Sequence, residues 1–335
     1  MSESEKKGEE HWTKQKEAGG YNSLKFTFFL FKLFPMRLLR LTAFPVGFFY
    51  FLFSKKAKIE SRRYLDNIIP YLDDPKMIKK CKSFFAPLRH IISFALALLE
   101  KIQAWGGKFK FKGVHFQDDD IGQLINELES GKGVMLIISH HGNTEVLRGL
   151  LNSGQTGVSR KIPFTAIMDL KISANFSRML KELNPEAAMD IIGADEIGPH
   201  TAILMEERLS KGGMVLIAGD RTSPLDNSKN LIIPFLGKDA PFSSGMFYMA
   251  AIMNVSIYFI FGLRKKELSL KTEYNMHVHK SNTGFAATKK EKMEKSNDLA
   301  NNFVSLMETY CKRQPFQWYN FFNFWLEGEN LEKKS

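Results

Sequence analysis

The chain has 335 residues, enough for one large domain with an appendage or two of ordinary size. Hydrophobic residues make up 44% and charged residues 25%, near the globular average, which excludes wholesale disorder, a collagen-like repeat and a polytopic membrane protein. The net charge of +11 is concentrated near the N-terminus, and the 29 phenylalanines suit a wide apolar groove or a membrane-contacting face as well as a core.

Residues 1–20 are polar and rich in Lys and Glu, and read as a tail rather than a secretory signal. Residues 21–63 form a basic, aromatic segment. Here Lys25, Lys32, Arg37, Arg40, Lys55, Lys56, Lys58, Arg62 and Arg63 stand against Glu60 alone, interleaved with Phe, Leu and Pro. That interleaving favours an anionic membrane surface over nucleic acid. The longest uncharged run, Leu41 to Ser54, holds 14 residues, short of the roughly 20 that a straight transmembrane helix needs. The segment therefore predicts an in-plane or re-entrant anchor, with a tilted span as the alternative. The basic residues that follow place the rest of the chain in the cytoplasm. Cys81 and Cys311 have no CxxC or Cys/His spacing, so neither a disulfide framework nor a zinc site is expected.

Residues 64–326 carry the patterns of a catalytic domain, and residues 327–335 are a charged tail. The apolar spacing of Met77 to Ala104 predicts a helix. Strand-like runs then alternate with helix-like runs, which predicts an α/β sheet covered on both faces. The predicted strands are Phe109–Val114, Val134–Ser139, Phe164–Met168, Met214–Ala218, Val255–Phe261 and Leu270–Val278. The predicted helices are Ile121–Glu129, Thr144–Leu151, Ala174–Leu183, Thr201–Leu209, Gly245–Met253 and Lys290–Lys312.

The strongest local signal is the strand from Val134 to Ser139 running into His140, His141, Gly142, Asn143, Thr144 and Glu145. Its histidines fall at the carboxyl edge of the sheet, where open α/β sheets place ligands. A turn there would let Glu145 accept a hydrogen bond from one imidazole nitrogen of His140 while the other faces a substrate, the arrangement of a general base. Glu145 as a complement to the helix dipole, with the histidines as loop residues, is the alternative. Gly142 would let the backbone approach a ligand. A second apolar strand ends at Gly219-Asp220-Arg221, where Arg221 would suit a phosphate and a structural ion pair is the alternative. His277 and His279 share a strand face with no third or fourth metal ligand in sight, and Ser139 lacks the glycine frame of a nucleophile elbow.

Four ordered elements, His140-x4-Glu145, Gly219-Asp220-Arg221, Pro234-Phe235-Leu236-Gly237 and Gln317-Trp318 with Trp325, resemble the lysophospholipid acyltransferase superfamily. Within it the chain is most similar to the lipid A biosynthesis branch of lauroyl and myristoyl acyltransferases. The resemblance implies a mixed central sheet of the glycerolipid acyltransferase type. It implies attachment to the cytoplasmic face of the bacterial inner membrane. It also implies transfer of a fatty acyl group from acyl carrier protein or coenzyme A to a lipid hydroxyl or amine, with neither metal nor organic cofactor. On that pattern His140 is the catalytic base and Glu145 its partner, while His141, Asn143, Asp220 and Arg221 contact substrate. Asn323 and Phe324 stand where that branch carries basic residues, which points to a less anionic lipid acceptor. A thioesterase or lipid hydrolase, and a non-enzymatic lipid-binding protein, are the rival functions.

Overall fold

The computed structural model describes residues 29–30, 33–105, 109, 111–117, 120–144, 146, 158–160, 162–168, 190–193, 198–222 and 230–326. Its centre is strand β2 (Val134–Gly142). Met135 and Ile137 of this strand enter one core cluster, whereas Val134, Leu136 and Ile138 enter another on the opposite face. A run that is apolar at successive positions, as Val134–Ile138 is, requires cover on both sides.

Strand β2 runs parallel to β5 (Met214–Ala218) and to β8 (Ser256–Arg264). Beyond β5 lie β3 (Phe164–Met168) and β4 (Asp190–Gly193), also parallel. Beyond β8, β9 (Tyr274–Lys280) runs antiparallel and pairs in parallel with β1 (Val114–Phe116). The result is a mixed seven-stranded sheet of order β1-β9-β8-β2-β5-β3-β4. A separate antiparallel hairpin joins β6 (Asn230–Phe235) to β7 (Lys238–Ser243). Its turn residues Leu236 and Gly237 both have positive φ, 51° and 72°, which matches the right-handed twist of the two strands.

Among the described residues the longer helices are α1 (Met36–Phe53), α2 (Lys55–Ile68), α3 (Pro75–Lys82), α4 (Ala86–Trp105), α5 (Asp120–Glu129), α6 (Pro199–Ser210), α7 (Ser244–Ile252) and α8 (Lys289–Arg313). A capping box between Thr288 and Glu291 starts α8. The single helix predicted over Met77 to Ala104 is instead two, α3 and α4, bent by 96°. The break has a local cause: Ser83 is extended and Pro87 suits only the first turn of a new helix. The first predicted strand is also shorter. A 3-10 turn spans Phe111–Gly113, and Phe109 packs on the rings of Phe111 and Tyr274 instead of joining a ladder. Apart from Thr144 and Val146, the predicted helices Thr144–Leu151 and Ala174–Leu183 lie outside the described residues.

Helix α1 is long and apolar enough to cross a membrane, about 27 Å at the usual helical rise. It docks a stripe of Leu39, Arg40, Ala43, Gly47 and Phe51 onto the body, packing mainly against α4. Its other faces leave Leu38, Leu41, Val46, Phe48, Phe49, Tyr50, Leu52 and Phe53 exposed. Arg40, read from the sequence as part of the lipid-facing charge, is buried. Its guanidinium forms an ion pair with Glu100 at 3.2 Å and donates to Gln103 Oε1 at 3.0 Å. Glu100 is shared with the buried Arg264 at 3.1 Å, so one carboxylate ties α1 to α4 and the end of β8. Helix α2 runs without a break through residues 63 and 64, and its Tyr64, Leu65 and Ile68 join the main core.

Candidate active site

The register of two parallel strands assembles the site. Strand β2 pairs with β5 at a constant offset, Val134 opposite Met214 through Ile138 opposite Ala218. Continued by two residues, the same register sets His140 beside Asp220. On the other side, four steps along β2 from Ile138 to Gly142 match only two along β8, from Ile260 to Gly262. The two extra residues bulge out of the ladder, a device that commonly re-aims side chains beside functional sites. Gly142 makes the bulge possible. Its φ is +55°, and a Cβ there would lie 2.0 Å from the Gly262 carbonyl oxygen. The close approach expected of Gly142 is thus to its neighbouring strand.

Three donors converge on Asp220, whose side chain is fully buried. His140 Nδ1 lies 2.8 Å from Oδ1, the His140 backbone N–H donates to Oδ2 at 2.8 Å, and the indole N–H of Trp318 donates to Oδ2 at 3.0 Å. Burial alone would raise the Asp220 pKa, but the His140 ring, its hydrogen bonds and the nearby Arg221 outweigh that and hold the carboxyl well below the usual range. An ionised carboxylate only accepts, so Nδ1 carries the imidazole proton and Nε2, on the opposite edge of the ring, is left basic. With 41% of its side chain exposed, His140 is reachable from outside. Desolvation and the Arg221 charge lower its pKa against the upward pull of Asp220, which favours the neutral, proton-accepting form.

The adjacent histidine faces inward. His141 has no exposed surface; its Nδ1 lies 2.9 Å from Ser139 Oγ and its Nε2 3.1 Å from Cys311 Sγ. Burial pushes its pKa down to about 3, the Asp220 charge opposing. It is a neutral core residue and does not line a substrate surface, because alternation along β2 sends it to the face opposite His140. Asp220 is likewise corrected from a substrate contact to the buried partner of His140, the role assigned to Glu145 from the sequence. Glu145 itself lies outside the described residues. Arg221 is half-buried beside the pair, its Nη1 donating to the Asp220 carbonyl at 3.3 Å and its guanidinium 5.0 Å from the Phe322 ring centre. Asn143 is 3% exposed; its backbone N–H donates to the Gly262 carbonyl at 2.7 Å, while neither amide atom of its side chain has a hydrogen-bond partner among the described residues.

The segment Pro315–Trp325 closes over this end of the sheet. The Gln317 side-chain amide accepts from the Arg264 backbone N–H at 2.8 Å through Oε1 and donates to the Arg264 carbonyl at 2.7 Å through Nε2, standing in for a strand partner. Trp318 pairs with His141, and Tyr319 N–H donates to the His140 carbonyl at 3.0 Å. The spacing of Gln317, Trp318 and Trp325 marked the segment in the sequence, but nothing local assigned Trp318 to the carboxylate. His277 and His279 do share a face, and Tyr310 occupies it: its hydroxyl is 2.5 Å from His279 Nε2 and its ring 4.6 Å from that of His277. Among the described residues no group of three or more His, Cys, Asp or Glu is placed to hold a metal. A groove of about 320 Å³ between α1 and α4, lined by Phe44, Leu88, Ile92 and Leu268 with Lys80 and Arg89, is formed by other parts of the fold than the His140–Asp220 pair. The chain matches no family model, and no curated protein matches it.

Proposed function

We propose that this protein is a membrane-associated acyltransferase, moving a fatty acyl group from acyl carrier protein or coenzyme A to a lipid hydroxyl or amine. The observation that carries the reading is His140, accessible at the carboxyl edge of the sheet, with Nδ1 fixed by a fully buried Asp220. Nε2 takes the proton of the acceptor hydroxyl or amine as its oxygen or nitrogen attacks the thioester carbonyl. The tetrahedral adduct then collapses, the carbon–sulfur bond breaks, and the thiolate recovers the proton from Nε2. Asp220 stabilises the imidazolium between the two transfers. The chemistry requires no metal or organic cofactor.

The surroundings fit an acceptor drawn from a bilayer. The exposed apolar side chains of α1 continue in Phe84 and Phe85, which stack edge-on at 5.2 Å, and exposed Lys55, Lys56, Lys76, Lys79, Lys80 and Lys82 lie on α2 and α3. Such a basic and aromatic surface suits an anionic membrane, here the cytoplasmic face of the inner membrane. The acceptor belongs to lipid A-like or other glycolipid synthesis, with modest negative charge, since Phe324 is 2% exposed and packs on Phe235, Phe242 and Trp318. Lipid mass spectrometry on membranes from cells carrying the native protein or His140→Ala tests the reading. A lipid class heavier by one acyl chain in the native cells alone is expected. Equal lipid profiles at equal protein abundance would refute it, and free fatty acid released without an acylated lipid would point to a hydrolase.

A further inference from the structure

A chain of buried contacts, passing through the body of Trp318, links α2 and α4 to the site. Ser61 of α2 and His90 of α4 are both fully buried, with Ser61 Oγ 2.9 Å from His90 Nδ1. His90 Nε2 lies 2.9 Å from the main-chain oxygen of Trp318. A carbonyl oxygen can only accept, so Nε2 carries the proton and Nδ1 accepts from the Ser61 hydroxyl. Trp318 in turn donates its indole N–H to Asp220, and Asp220 holds His140. The His90 ring is enclosed by Tyr64 at 5.7 Å, Tyr319 at 6.1 Å and Phe321 at 4.7 Å between centroids. Burial lowers its pKa to about 4 against the Trp318 hydrogen bond, in keeping with one fixed neutral tautomer.

The geometry points to His90 as a positioning residue for the His140–Asp220 pair, acting through Trp318, with α2 as the outer end of the link. The inference rests on His140 being the general base. Asp220 accepts from Trp318 and from the His140 backbone on a single oxygen, so the placement of Trp318 sets which way the other oxygen faces. Without the His90 donor, the Trp318 carbonyl loses one of its two donors and keeps only the Asn320 N–H at 2.9 Å, so the Trp318 main chain is held less firmly and shifts. Asp220 then turns away from Nδ1. Three charges act on His140: Asp220 raises its pKa, while Arg221 and Lys101 lower it. A loosened Asp220 therefore lowers it further and weakens the base.

The test compares the full-length native protein with His90→Phe and His90→Gln in detergent micelles. Phenylalanine keeps the ring packing and removes both hydrogen bonds, whereas glutamine restores an N–H donor and an acceptor oxygen. The two readouts are the His140 pKa, from NMR of ¹⁵N-histidine-labelled protein, and steady-state acyl transfer from an acyl thioester. In His90→Phe the His140 pKa falls and kcat drops about tenfold at unchanged KM, the size of one lost hydrogen bond. In His90→Gln both return to within about twofold of native. An unchanged His140 titration and kcat in His90→Phe would overturn the inference, as would equal impairment of both variants. If the native protein transfers no acyl group, the acyltransferase reading fails, and the His140 titration still decides the link on its own.

Discussion

Replacing Asp220 by asparagine is the sharpest probe of the proposed base, because it changes one charge at constant shape. Two donors converge on Oδ2, the His140 backbone N–H and the Trp318 indole, while only the imidazole Nδ1 faces Oδ1. The asparagine carbonyl therefore takes the Oδ2 position, where it satisfies two buried donors at once. Its NH2 group is left facing Nδ1. Two donors cannot face each other, so Nδ1 must become the acceptor and the proton moves to Nε2, the nitrogen that has to receive the acceptor's proton. The fold survives, since both convergent donors keep a partner, but the base is in the wrong tautomer. The same error in a Ser-His-Asp triad costs about 10⁴ in kcat, and a loss of roughly 10³ to 10⁴ is expected here. Acyl transfer from a radiolabelled acyl thioester measures the rate, and ¹⁵N chemical shifts of the imidazole report the tautomer. Activity within tenfold of native, or an Nδ1-protonated His140 in the variant, would refute the reasoning.

Two further outcomes follow from which side chains are buried and which are exposed. His90 and His141, with pKa values lowered to about 4 and about 3, bind protons more readily unfolded than folded, so stability declines as pH falls below about 6.5. Asp220, whose folded pKa is depressed, adds a further loss below about pH 4 as it protonates. His90 alone accounts for about 3 kcal/mol by pH 4, and denaturant unfolding between pH 7 and pH 4.5 should show a shallower decline in His90→Gln than in the native protein; equal slopes would count against it. On α1, changing Phe48, Phe49 and Phe53 together to serine removes rings that are 45%, 58% and 81% exposed. Flotation with anionic vesicles should show at least about tenfold weaker binding at nearly unchanged thermal stability, given about 1.5–3 kcal/mol for each ring fully buried in an apolar phase. Undiminished flotation would remove α1 from the membrane contact.

Local pattern made much of this molecule readable in advance. Strands Phe164–Met168 and Met214–Ala218 and the helices over Ile121–Glu129 and Lys290–Lys312 stand within a residue or so of where period and capping place them. The doubly buried runs required a sheet covered on both faces, and the apolar strand ending in histidine marked the carboxyl edge where the site lies. These features depend on residues within a few positions of one another, which a sequence displays directly.

What only the tertiary structure decided depends on pairing across long separations. Nothing near His140 marks Asp220, eighty residues on, as its neighbour; the constant register of β2 against β5 brings Asp220 to the imidazole. Nor does the His140-His141 pair show by itself which ring is inside. The Ser139 and Cys311 partners of His141, and the bulge opposite β8, settle that. Arg40 looked like one more lipid-facing charge until Glu100, sixty residues away, was placed against it. Trp318 and His90 act through a main-chain oxygen, an atom that every residue carries and no sequence singles out.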